Sequence, residues 1–148
     1  MRYLLLIYMD EHALSETERQ ACYAESAQFA QELNARGQYL DCAPLQPTAT
    51  ATSVRVRGGK PLVTDGPFAE TREQLAGYFL IDARNLDEAI GIAARIPAGR
   101  WGTVEIRPVI EVAGLPKEEA QPRRAGPPRP SSRRPAGRRA QSSGRSEG

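Results

Sequence analysis

The sequence predicts an α+β domain: a ferredoxin-like split βαβ sheet with an inserted β-hairpin, of the kind that pairs into a dimeric α/β-barrel. Three observations carry this reading. Extended and helical patterns succeed one another in the order strand, helix, strand, hairpin, strand, helix, strand. Gly58-Gly59 stands between two alternating segments, a two-residue hairpin signal. Two of the strands are apolar on both faces, so both must be covered. The two helices cover one side, and a second subunit is the simplest cover for the other.

Arg2 to Met9 reads as the first of these strands, with Leu4, Leu6 and Tyr8 on one face and Tyr3, Leu5, Ile7 and Met9 on the other. After a loop from Asp10 to Leu14, Ser15-Glu16-Thr17-Glu18 fits a capping box: a hydroxyl for an N-terminal N–H and a carboxylate reaching back. The helix should run from Glu16 to Arg36, stop at Gly37 and bury Cys22, Ser26, Phe29, Ala30 and Leu33. Gln38 to Ala43 is a second strand, ended by Pro44 and Pro47. Ser53–Arg57 and Lys60–Thr64 form the hairpin and deliver Asp65 at a rim. Ala76 to Asp82 is a strand with Tyr78 and Leu80 opposite Gly77, Phe79 and Ile81. Asn85 caps a second helix whose buried face is read as Leu86, Ala89, Ile90, Ala93 and Ile96, before Pro97. Thr103 to Val112 closes the sheet, with Val104, Ile106, Ile110 and Val112 on one face and Glu105, Arg107, Val109 and Glu111 on the other.

The 148 residues divide by composition. Residues 1–114 read as the domain. Residues 115–148 hold six Pro, nine Lys/Arg and three Glu, with few apolar residues, and read as a disordered basic Pro/Arg-rich tail. Of the overall net charge of +2, the tail holds +6, leaving −4 on the domain. The basicity therefore belongs to the tail. Its arginines could meet phosphates without sequence choice, but it has no aromatics to stack on bases. The apolar run Tyr3–Met9 is too short to span a bilayer. Cys22 and Cys42 do not make a disulfide framework, and with one histidine they do not supply the clustered ligands of a zinc site. A reduced, cytoplasmic protein with no metal and no cofactor is expected.

The stretch Asp65-Gly66-Pro67-Phe68-Ala69-Glu70-Thr71-Arg72-Glu73 crowds turn formers, an aromatic ring and four ionisable side chains into nine positions. With Val63-Thr64 before it and Glu73-Gln74-Leu75 and Gly77-Tyr78-Phe79-Leu80-Ile81 after it, it resembles the signature of the DGPF subgroup of the YCII-related proteins. Pro44-Leu45-Gln46-Pro47 and Glu105-Ile106-Arg107-Pro108 resemble the same group. The likeness spans about residues 1–112. It implies a small dimeric ferredoxin-like domain without a settled activity, and a regulatory or stress-related role with a sigma-factor-related partner. Some wider relatives are similar to dehydrochlorinases that use a His-Asp pair. That pair does not carry over: no histidine lies between Glu16 and Arg36, and Ile96-Pro97-Ala98-Gly99 stands where the aspartate belongs. His12 reads as a solvated loop residue.

The candidate site residues follow from charge and placement. Asp65 either accepts N–H bonds from its own turn or serves as a general acid or base beside Phe68. Pro67 could open a short helical turn on which Glu70 and Glu73 share a face, with Arg72 as their partner or as an anion grip. Glu105 and Arg107 fall on the sheet face away from the helices. There they either pair across a dimer interface or line a cavity with Asp65, Tyr8 and Tyr78. The catalytic candidates are Asp65 and Glu105, and the ligand-binding candidates are Tyr8, Phe68, Glu70, Arg72, Tyr78 and Arg107. Three functions stand at this point: a dimeric domain that binds a small molecule or protein partner, a small lyase- or isomerase-like enzyme using Asp65 for proton transfer with help from Glu105 or Arg107, or an accessory nucleic-acid binder acting through the tail.

Overall fold

The computed structural model describes residues 1–116, so the tail expectation falls, but for Leu115 and Pro116, outside the described residues. The elements are β1 (Arg2–Met9), α1 (Glu16–Ala35), β2 (Tyr39–Pro44), β3 (Thr52–Arg57), β4 (Lys60–Asp65), β5 (Gln74–Asp82), α2 (Leu86–Ala93) and β6 (Gly102–Pro108). Short 3-10 turns cover Thr48–Thr50 and Pro97–Arg100. β2, β5, β1 and β6 form one sheet in that order, all neighbours antiparallel, and β3–β4 form a separate two-stranded ribbon. This is the split βαβ arrangement with the hairpin inserted between its halves.

The core lies between the two helices and one sheet face. β1 buries every second residue, Tyr3, Leu5, Ile7 and Met9, and β5 contributes Phe79 and Ile81. Leu33 of α1 and Leu5 of β1 are fully enclosed. The capping box of α1 forms as expected: the Glu18 N–H donates to Ser15 Oγ at 3.3 Å and the Ser15 N–H to Glu18 Oε2 at 2.8 Å. Gly58 and Gly59 both hold positive φ, +56° and +75°, as a tight hairpin twisting with its strands requires. Arg95–Glu32 and Arg100–Glu25, each at 2.6 Å, tie the segment after α2 to α1.

Three expectations are corrected. β6 ends at Pro108, short of Val112, and Ile110 and Val112 are exposed. Its partner β1 begins at Arg2, whose carbonyl accepts the Val109 N–H at 2.9 Å, so the chain beyond has nothing left to pair with. In α2 the buried face is Ala89, Ile92, Ala93 and, after its end, Ile96, while Leu86 and Ile90 are half exposed. Both stripes are apolar, so periodicity alone did not choose between them. No helix forms between Asp65 and Gln74, so Glu70 and Glu73 share no helical face. Gly66 holds φ +102°, and Glu73 instead accepts the Thr103 hydroxyl at 3.1 Å.

A cavity between the first helix and the sheet

A cavity of about 250 Å³ opens between α1, the end of β2 and the middle of β5. Its buried lining is apolar, from Ile7, Met9, Leu14, Phe79 and Ala98, with the exposed Leu45 at its edge. α1 supplies Arg19, Cys22, Tyr23 and Ser26, spaced to face the sheet from one side of the helix. The segment Pro44–Pro47 forms another wall. It is fastened by the Leu45 N–H to the Ala76 carbonyl at 2.8 Å. Glu11 holds the next residue: its carboxylate accepts the Thr48 N–H at 2.5 Å and the Thr48 hydroxyl at 3.0 Å. Arg19 donates to the Glu11 carbonyl at 3.0 Å, so one loop residue joins α1 to this wall. Gly77 lets the wall approach, since a Cβ there would lie 2.7 Å from the Ala43 carbonyl.

Both cysteines border this space. Burial pushes the Cys22 thiol above its ordinary range, although Ser26 hydrogen-bonds it. Cys42 receives the Tyr39 hydroxyl at 3.6 Å. Burial, with Cys42 beside it, pushes the Tyr39 phenol up to about 12.

Of the eight residues singled out in the sequence, Tyr78 alone borders the cavity. Its hydroxyl donates to Asp41 Oδ2 at 2.6 Å, and that bond raises its pKa. Glu105 and Arg107 pair with each other along β6 at 3.1 Å, within one chain, and register beside Leu6 and Leu4 on the helix-free face. Tyr8 lies on the same face. Asp65 ends β4 opposite Thr52, and its carboxylate accepts no hydrogen bond from the described residues. The turn after it is held by the Gly66 N–H to Ala51 at 2.7 Å and by Ser53 Oγ to the Gly66 carbonyl at 2.7 Å. Phe68 is 82% exposed. Arg72 and Glu70 form no ion pair among the described residues. Within one chain, then, no bond joins Asp65 to Glu105 or Arg107. The cavity residues Glu11, Arg19 and Cys42 carried no motif. The nearest signals in the sequence were the Pro44–Pro47 segment and the Cys22 and Ser26 positions of the α1 stripe, which border the same space without marking it as a site.

Residues 1–113 match the model of the YCII-related domain. The chain belongs to the YCII-related family. The YCII domain is similar to an uncharacterised protein from Rhizobium meliloti (strain 1021), 36% identical over 114 residues, covering 74% of this chain and 92% of that protein. Among solved structures it is similar to a 5-chloro-2-hydroxyhydroquinone dehydrochlorinase from Burkholderia phenoliruptrix AC1100, in complex with 2,5-dihydroxybenzoquinone. That likeness covers 76% of this chain and 96% of that one, with 14% identity and a TM-score of 0.46. At that level no substrate or mechanism carries over to this YCII domain. Among its described residues no helix is long and apolar enough to cross a membrane.

Proposed function

We propose that this YCII domain binds a small, mostly apolar molecule in the cavity between α1 and the sheet, and that it works as a cytoplasmic homodimer. One observation carries the ligand: a concave, largely apolar space with a few polar groups, Glu11, Arg19, Ser26 and Gln46, at its walls. At about 250 Å³ the space lies just below the range of drug-sized pockets, which favours a compact ligand. Arg19 already donates to the Glu11 backbone carbonyl and pairs with Glu16, and the Glu11 carboxylate adds a negative charge to the wall. Local charge therefore favours a neutral ligand with a hydrogen-bonding group over an anion. The dimer rests on the helix-free face, where Leu4, Leu6 and Leu80 form an apolar strip that the helices leave uncovered. The DGPF-like motif supports a regulatory or stress-related role alongside a sigma-factor-related partner.

A second reading, proton transfer by Asp65 in a lyase- or isomerase-like reaction, rests on one feature: its carboxylate is unspent on its own turn. A thermal-shift screen of small neutral ligands separates the two. Wild type, Ala27→Phe, which narrows the cavity mouth, and Asp65→Ala are compared at equal concentration. A ligand at 100 times its Kd should add about 2.7 kcal/mol of stability. Loss of that gain in Ala27→Phe with retention in Asp65→Ala supports the cavity. The reverse pattern supports Asp65. No gain with any compound overturns the small-molecule reading and points to a protein partner.

A further inference from the structure

The β3–β4 hairpin buries almost nothing within its own chain. The register places Val54 opposite Val63 and Val56 opposite Pro61 on one face, and Arg55 opposite Leu62 and Arg57 opposite Lys60 on the other. Val54, Val56 and Val63 are each more than 60% exposed. A lone two-stranded ribbon is marginal in water, and a contiguous exposed apolar face marks a contact surface.

The same chain carries a second uncovered apolar face, the Leu4, Leu6 and Leu80 strip of the sheet. Because the hairpin residues are exposed, the hairpin does not cover that strip in its own chain. Each chain thus holds one apolar arm and one apolar floor, the condition for a self-complementary two-fold contact. Charge agrees. Residues 52–65 hold Arg55, Arg57 and Lys60 against Asp65, a net +2, so the rest of residues 1–114 holds −6. Two such acidic bodies repel one another, and a basic arm from each offsets that repulsion.

We propose that the hairpin is a dimerisation arm that lies across the helix-free sheet face of a second copy, Val54, Val56 and Val63 against its Leu4–Leu6–Leu80 strip. The proposal rests on the homodimer proposed above. It also gives the Asp65 turn a setting. The turn sits at the base of the arm, at the margin of the interface, where its unspent carboxylate faces the partner and not only solvent.

The test is amide hydrogen exchange on the full chain across protein concentrations, with light scattering, on wild type and Val54→Asp/Val63→Asp. Both valines are exposed in the single chain, so its fold, followed by circular dichroism, should survive. The expected results are a wild-type dimer, exchange in residues 52–65 slowed by about 10-fold or more as the dimer forms, and a dissociation constant raised about 30-fold or more in the variant. A dimer whose hairpin amides exchange at one rate at all concentrations overturns the arm and leaves the dimer standing. A wild type that is monomeric at every concentration overturns both.

Discussion

Glu11 and Thr48, 37 positions apart, are joined twice: one carboxylate accepts both the backbone N–H and the hydroxyl of the threonine. The pair pins the loop after β1 to the chain leaving β2, across the mouth of the cavity. Thr48→Val removes one bond and should cost about 1 kcal/mol, and Glu11→Ala removes both and should cost about 2 kcal/mol. Urea unfolding measures both. Because the pinned segment walls the cavity, Glu11→Ala should also weaken any ligand found there. Unchanged affinity would separate the clasp from the site.

Alkaline pH should destabilise the protein in a defined window. Burial raises the Cys22 thiol above 9.0 and the Tyr39 phenol from 10.0 to about 12, and the Asp41 bond raises Tyr78. In the unfolded chain these groups lose their protons first, so the native state holds more protons and stability falls as pH rises. The stabilisation is complete below about pH 9 and is lost progressively towards about pH 12. Denaturation midpoints across that range should show the fall, and Tyr39→Phe should flatten it. Asp41→Asn should bring one phenolate transition, followed by ultraviolet absorbance, back towards the ordinary tyrosine value.

Two glycines should respond in opposite directions. A Cβ on Gly102 would lie 2.0 Å from the Tyr8 carbonyl, where β6 crosses against β1 beside Met9. Gly102→Ala should cost about 3 kcal/mol or more, since backbone must move. Gly91 lies inside α2 with nothing near a Cβ. Gly91→Ala should gain about 0.5–1 kcal/mol from the lower entropy of the unfolded chain. Thermal unfolding of both variants checks the pair.

Much of the fold was legible in the sequence because its signals are local. The capping box at Ser15–Glu18, the stop at Gly37 and the turn at Gly58-Gly59 depend on residues within a few positions of one another. The alternation in β1 separated its two apolar faces correctly, and the helices chose Tyr3, Leu5, Ile7 and Met9 as the one the chain itself buries. The sheet end of β6 was less legible, because strand length depends on whether a neighbour is there to pair with. The same holds for α2, where two apolar stripes compete and only contact with the sheet chooses Ile92 over Ile90 and Leu86.

The candidate site divides along the same line. The sequence by itself determined which residues are chemically unusual: the Asp65–Glu73 cluster, Glu105 with Arg107, and the tyrosines of β1 and β5. Only the tertiary structure decided which of them share a neighbourhood. It set Tyr78 on Asp41 and closed Glu105 on Arg107. It also opened a cavity between Cys22 of α1 and Cys42 of β2, residues 20 positions apart with no motif between them. Local pattern fixes backbone conformation through forces that act over one turn or one strand pair. A cavity is the space left where elements distant in the chain fail to fill one another, and no short window of residues encodes it.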